Sequence, residues 1–143
     1  MILKKIKILF LAIFLAFSPM ALEAKIYDNV YIAQKQALKE AKLMVFFVLS
    51  NTCDYCHKLM NDVLNNRDLM DYLDENFIVA ISDLNADGLI PKDLLFNGVT
   101  PTTYILTPTG KVIGTPIEGA VDSNILFGLL RGLEDYKKGQ LGF

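Results

Sequence analysis

One unbroken apolar run constrains the fold of this chain more than any other feature. Residues 43–49 read Leu-Met-Val-Phe-Phe-Val-Leu, with no polar residue between them. Such a run is typical of a β-strand that is covered on both faces, as in a sheet with helices on each side. Ser50-Asn51-Thr52 follows, and these residue types favour turns and helix N-caps. The sequence therefore predicts a buried strand that leads through a short turn into a helix.

Periodic apolar positions divide the rest of the chain into helices and strands. The predicted helices are residues 29–41 (capped by Asp28), 54–64, 67–76, 91–96 (short) and 123–138. The predicted strands are residues 43–49, 77–84, 102–107 and 111–114, the last two forming a hairpin around Pro108-Thr109-Gly110. The last helix would bury Ile125, Leu126, Leu129, Leu130 and Leu133 and stop at Lys137-Lys138-Gly139. This order of elements predicts an α/β fold with a mixed sheet.

The amino terminus has the composition of an export signal. Three lysines precede the ten-residue apolar stretch 8–17, which Ser18-Pro19 ends. Ten residues are too few for a membrane-spanning helix, which needs about 20. We expect cleavage after Ala24, so that residues 25–143 form a single domain in the periplasm or another extracytoplasmic space, where disulfides persist.

The charge of the expected mature domain excludes one class of partner. Removal of residues 1–24 takes away three lysines and Glu23, which leaves 11 basic and 15 acidic residues and a net charge of −4. Nucleic-acid binding needs clustered cations to neutralise phosphates, and the chain has no such cluster. We therefore expect no nucleic-acid partner. We also expect a monomer, because the sequence has no evident extra domain that could support dimerisation.

The only two cysteines, Cys53 and Cys56, lie where the buried strand is followed by a helix. This spacing allows a tight disulfide, and the free amides at a helix start favour a thiolate on Cys53. A purely structural disulfide would close a very small loop and stabilise little. Zinc would have Cys53, Cys56 and His57 as ligands and would lack a fourth. The pair therefore favours thiol–disulfide exchange.

A second interpretation of the same residues is a covalent c-type haem, because Cys53 to His57 has the Cys-x-x-Cys-His pattern of haem attachment. His57 would be one axial ligand, with Met60 or Met70 as the other. The buried strand before the motif argues against this alternative, since small cytochromes are mostly helical.

Three segments together resemble the thioredoxin superfamily: the strand leading into Cys53-Asp54-Tyr55-Cys56, the segment Gly98-Val99-Thr100-Pro101-Thr102, and Gly119. The resemblance spans residues 29–138. It implies a thioredoxin-like fold, with a central mixed sheet of about four to five strands flanked by helices. It also implies a cis Thr100-Pro101 bond that faces the cysteines and a partner strand held by Thr100, Pro101 and Tyr55.

Asn65-Asn66 interrupts the predicted helix after Cys56. In this the chain resembles the periplasmic C-terminal domain of the transmembrane electron carrier of the disulfide-bond (Dsb) system, where a longer broken helix follows the cysteines. Two positions depart from cytosolic thioredoxins. Phe47 stands where they have a buried aspartate, and Thr52 where they have a tryptophan. The usual proton acceptor for the second cysteine is therefore missing, and water, His57 or another carboxylate would replace it.

The resemblance implies that the chain is a thiol–disulfide oxidoreductase, and the export signal places it outside the cytosol, both as expectations. Cys53 would attack a partner disulfide and Cys56 would resolve the mixed disulfide, without organic cofactor or metal. Asp54, His57 and Lys58 are candidates for tuning the thiolate. The partners would be protein thiols or disulfides and a membrane electron carrier. Reductase, oxidase and isomerase directions stay open, and the alternative is a thioredoxin-fold binding or chaperone module with little redox activity.

Overall fold

The predicted buried strand lies at the centre of a five-stranded sheet in the computed structural model, which describes residues 25–141. The predicted leader, residues 1–24, lies outside that range. The strands are β1 (Ile26–Tyr27), β2 (Leu43–Leu49), β3 (Phe77–Asp83), β4 (Thr102–Leu106) and β5 (Ile117–Glu118). Within the described range the helices are α1 (Val30–Glu40), α2 (Asp54–Asn65), α3 (Arg67–Asn76) and α4 (Ser123–Leu141).

The sheet is mixed, with strand order β1-β3-β2-β4-β5. β3 pairs in parallel with β1 and β2, whereas β4 pairs antiparallel with β2 and β5. The predicted α/β class with a mixed sheet flanked by helices is confirmed. A two-residue strand such as β1 is too short to leave an alternation signal, so the sequence did not predict it.

Every residue of β2 is buried, because both faces of the strand are covered. Val45 and Phe47 face a core formed with α2, α3 and α4, whereas Met44, Phe46 and Val48 face a second core formed with α1. This double coverage is the physical reason for the missing alternation in the sequence.

Two asparagines begin the helices that flank β2. Asn29 caps α1, and its Oδ1 accepts from the backbone N–H groups of Tyr31 at 2.9 Å and Ile32 at 3.2 Å. The predicted cap, Asp28, was wrong by one residue. Asn66 separates α2 from α3 in an extended conformation and accepts from the Leu69 N–H at 3.1 Å. The predicted break at Asn65-Asn66 is confirmed.

The carboxyl-terminal hairpin differs from the prediction. The turn forms, with hydrogen bonds from Thr107 N to Lys111 O and from Gly110 N to Thr107 O. Residues 111–114 make a single bridge, between Leu106 and Val112, and the paired strand is β5. Gly114 has a positive φ of 70°, which turns the chain, and Pro116 has no N–H for the ladder.

Helix α4 also corrects two predictions. It continues to Leu141 instead of stopping at residues 137–139. Leu126 and Leu130 are fully buried, but Ile125 and Leu129 are 60% and 48% exposed. Only one stripe of the helix packs into the core, so the buried face is narrower than the apolar face of the sequence.

Residues 84–101, between β3 and β4, contain turns in place of the predicted helix at 91–96. The buried Tyr104 tethers this loop, since its hydroxyl donates to the Leu95 carbonyl oxygen at 2.9 Å. Burial, with a further contribution from the Glu118 carboxylate, raises the pKa of Tyr104. The hydroxyl therefore stays protonated and able to donate at physiological pH.

Tyr104→Phe should lower the free energy of unfolding by about 1 kcal/mol, because one hydrogen bond is lost while the ring stays packed. Urea unfolding followed by circular dichroism measures the change. Tyr31→Phe is the matched control, since Tyr31 is 44% exposed. Equal stabilities for the two variants would show that the tether contributes nothing.

Candidate functional site

Cys53 occupies the N-cap of α2 and has an extended backbone, with φ −101° and ψ 111°. Its Sγ accepts a hydrogen bond from the backbone N–H of Cys56 at 3.1 Å. The first N–H groups of a helix have no acceptor within the helix, and the helix dipole is positive there. This position therefore favours a negative charge on the Cys53 sulfur.

The two cysteines form a disulfide, with Cα atoms 5.2 Å apart. They differ in accessibility: Cys56 is 1% exposed and packs in the core, whereas Cys53 is only partly buried. A partner sulfur can therefore approach Cys53 and not Cys56.

The segment that contains Pro101 lies against the cysteine pair. The Thr100–Pro101 peptide bond is cis, and the Thr100 carbonyl oxygen lies 3.4 Å from the Cys53 Sγ. Pro101 is buried, and its own carbonyl oxygen accepts from the Gly119 N–H at 2.8 Å. Three segments that are far apart in sequence thus meet at one end of the sheet.

The two backbone groups at the Cys53 sulfur act in opposite directions. The Cys56 N–H stabilises a thiolate, whereas the partial negative charge of the Thr100 carbonyl oxygen opposes one. In the reduced protein a protonated Cys53 could donate to that carbonyl. The Cys56 N–H favours the thiolate both when Cys53 attacks and when it leaves, since sulfur attacks and leaves as a thiolate in disulfide exchange.

A groove of about 710 Å³ runs beside these segments. Its lining residues come from α2 and from two loops: Tyr55, Lys58, Leu59, Asp62, Val99, Thr100, Gly119, Ala120, Val121 and Asp122. Tyr55 is 67% exposed, so its ring is available to a bound partner. Thr100, which lines the groove, also has its carbonyl oxygen at the Cys53 sulfur, so the groove lies beside the cysteine pair.

The predicted tuning residues are all exposed on the first turns of α2. Lys58 lines the groove together with Tyr55, whereas Asp54 and His57 do not. Among residues 25–141, no group of three or more His, Cys, Asp or Glu side chains is placed to hold a metal ion.

Below the disulfide the core is apolar. Phe47 is fully buried in the same cluster as Cys56. The residue of β4 that pairs with Phe47 is Thr103. Thr103 is 1% exposed, and its hydroxyl has no hydrogen-bond partner in the described part of the chain. The position that would carry a buried acid thus contributes packing instead.

Asp62 and Asn66 form a polar contact that the sequence did not single out. Asp62 Oδ2 accepts from the Ser123 N–H at 2.6 Å, and Asn66 Nδ2 donates to Ser123 Oγ at 3.0 Å. The contact joins α2 to the first turn of α4 and so holds the adjoining groove residues 119–122. The break at Asn66 is visible in the sequence, but a contact across 61 residues is not.

A Cys-x-x-Cys disulfide at a helix start, with its first sulfur accessible and beside a proline loop in a mixed sheet, defines a thioredoxin-like protein. The sequence profile described as "Thioredoxin-like domain" matches residues 30–134, and the chain belongs to this family. No curated protein matches the sequence significantly.

Solved structures agree in fold, at low sequence identity. A thioredoxin from Thermus thermophilus is 20% identical, with a TM-score of 0.63 over 85% of this chain and 95% of that one. The oxidised C-terminal domain of Neisseria meningitidis DsbD is 20% identical, with a TM-score of 0.55 over 76% and 98%. A thioredoxin-fold protein from Helicobacter pylori is 21% identical, with a TM-score of 0.56 over 71% and 74%.

Asp62→Ala should lower the free energy of unfolding by about 2 kcal/mol, because a hydrogen bond to a charged group is lost and a helix-terminal N–H is left without its acceptor. Urea unfolding of the variant and of the unaltered protein measures this difference in free energy. Asp71→Ala is the control, since Asp71 is an exposed carboxylate on α3. A loss no larger than that of the control would contradict the role of Asp62.

Proposed function

We propose that this protein is a thiol–disulfide oxidoreductase that exchanges disulfides with partner proteins through Cys53 and Cys56. One observation carries the proposal: the accessible Cys53 sulfur lies at a helix N-terminus, 3.1 Å from the Cys56 N–H, beside an open groove. Family membership and the neighbouring Thr100-Pro101 segment support it.

The reaction starts from the dithiol form. The Cys53 thiolate attacks one sulfur of a partner disulfide, a mixed disulfide forms, and the other partner sulfur leaves as a thiolate. Cys56 then loses its proton and attacks the Cys53 sulfur, which breaks the mixed disulfide and releases the second partner thiolate. The partner gains two electrons, and the domain is left with the Cys53–Cys56 disulfide. The reverse sequence oxidises a dithiol partner.

The partner segment would bind as an added strand along the groove. The backbone at Thr100 and Pro101 lies next to the Cys53 sulfur, so a strand paired there would present its own sulfur to Cys53. Tyr55 would pack on the bound segment from the opposite side of the groove. Because Phe47 is apolar, the proton of Cys56 would leave to water or to a surface group such as His57.

The other candidate functions find less support. A c-type haem at Cys53, Cys56 and His57 would sit in an α/β domain of the thioredoxin-like family, and not in the mostly helical setting typical of small cytochromes. A binding or chaperone module is favoured by one observation, the apolar Phe47 below the disulfide. Turnover on a protein disulfide separates that module from an oxidoreductase.

We also propose that a membrane electron carrier is the redox partner if the protein works as a reductase, since an exported domain has no access to cytosolic electrons. Among residues 25–141 no helix is long and apolar enough to cross a membrane. Equilibration with glutathione assigns the direction: a potential near −270 mV (about that of thioredoxin) indicates a reductase, and one near −120 mV (about that of DsbA) an oxidase.

Cys53→Ser should abolish reduction of insulin disulfides, because the attacking thiolate is lost. Cys56→Ser should instead accumulate a mixed disulfide through Cys53, visible on a non-reducing gel and removed by dithiothreitol. The reciprocal result, with the adduct formed in Cys53→Ser, would contradict the assignment of the nucleophile. Absence of exchange in the unaltered protein would contradict the proposed function.

Export is tested separately. If residues 1–24 are a cleaved signal, protein expressed in a bacterium with an outer membrane should be recovered from the periplasm with Lys25 as its first residue. Mass spectrometry of the intact protein measures this terminus. Recovery from the cytoplasm with residues 1–24 still attached would refute the proposed export.

A further inference from the structure

The turn that carries the nucleophile is held from the neighbouring strand. β2 and β3 are parallel, and Leu49 pairs with Asp83 at their carboxyl ends. The loops that follow the two strands therefore emerge side by side. The Leu84 N–H donates to the Leu49 carbonyl oxygen at 2.9 Å, which extends the pairing by one bond.

Asn85 is the residue that joins the two loops. Its side-chain Oδ1 accepts from the Ser50 hydroxyl at 2.5 Å and from the Asn51 backbone N–H at 3.2 Å. Its own backbone N–H donates to Asp83 Oδ1 at 2.9 Å. Asn85 is therefore fixed on the β3 side while its carboxamide holds two consecutive residues on the β2 side.

The two residues that Asn85 holds lie immediately before Cys53. The Ser50 carbonyl oxygen accepts from the Cys53 N–H at 3.2 Å, and the Ser50 hydroxyl lies 3.0 Å from the Thr52 hydroxyl. Asn51 and Thr52 are exposed. Hydrogen bonds, and not side-chain burial, thus hold this turn, and Asn85 supplies the acceptor that comes from outside it.

We propose that Asn85 is a positioning residue for the Cys53 nucleophile, a proposal that rests on the thiol exchange proposed above. By fixing Ser50 and Asn51, Asn85 keeps Cys53 at the N-cap, where the Cys56 N–H reaches its sulfur. Without this acceptor the turn samples other conformations, the sulfur spends less time at the helix terminus, and the thiolate is less stabilised.

Reduced Asn85→Ala should react more slowly with iodoacetamide at neutral pH, by about fivefold, the effect of losing roughly one hydrogen bond. The pH at which the Cys53 thiolate forms should also be higher in this variant than in the background protein. Cys56→Ser is the background for every variant, so that only Cys53 is alkylated. Asn61→Ala is the matched control, an exposed asparagine of α2 far from the turn, and should react like the background protein.

Ser50→Ala removes one of the two donors to Asn85, so it should shift the pH profile in the same direction as Asn85→Ala. The double variant should react little more slowly than the slower single variant, because both changes remove the same contact. If Asn85→Ala does not fold, Ser50→Ala alone tests the contact from the other side.

A profile for Asn85→Ala that coincides with that of the control, whatever its stability in urea, would overturn the proposal. So would fully additive effects of the two substitutions. Alkylation needs no protein partner. A protein that exchanges no disulfides would thus refute the proposed function, while the comparison of Asn85 variants would still report on positioning.

Discussion

The complete burial of β2 is the constraint on which the position of the site depends. A strand packed on both faces cannot slide or rotate without exposing apolar side chains, since each such side chain contributes about 1.5–3 kcal/mol when buried. The point where the chain leaves the sheet after Leu49 is therefore fixed. Cys53, the N-cap of α2, follows four residues later, so only a very short segment separates the fixed end of the strand from the sulfur.

The segment between Leu49 and Cys53 is too short to form a stable structure alone. Contacts from other parts of the chain fix it and the groove beside it. Asn85 holds the turn from the β3 side. The Thr100 carbonyl approaches the Cys53 sulfur from the β4 side. On the far side of the groove, Asp62 joins α2 to α4. Asn85 and Thr100 lie at opposite ends of the β3–β4 loop, and Asp62 lies on α2. The geometry at the sulfur therefore depends on contacts between segments that come together only when the sheet is assembled.

The parts of the fold that were predictable from the sequence are those with a local signal. The apolar run of β2, the helical spacing of α2 and the break at Asn66 each express their cause within a few residues. The position of β5 has no such signal, because it depends on which segment pairs with β4. The exposure of Ile125 has none either, because it depends on how much of α4 the core covers. Asn85 was missed for the same reason.

The site itself was predictable as a pair of cysteines, and the structure shows why the two are not equivalent. Cys53 is partly exposed and its sulfur accepts from a helix-terminal amide, an environment that favours the charged sulfur. Cys56 lies one turn further along in an apolar core, where desolvation favours the neutral thiol. Phe47, which stands in place of an acid in that cluster, is apolar and does not offset the desolvation. The same burial that stabilises the core therefore sets the order of events, because Cys53 is ready to attack first and Cys56 attacks only after losing its proton.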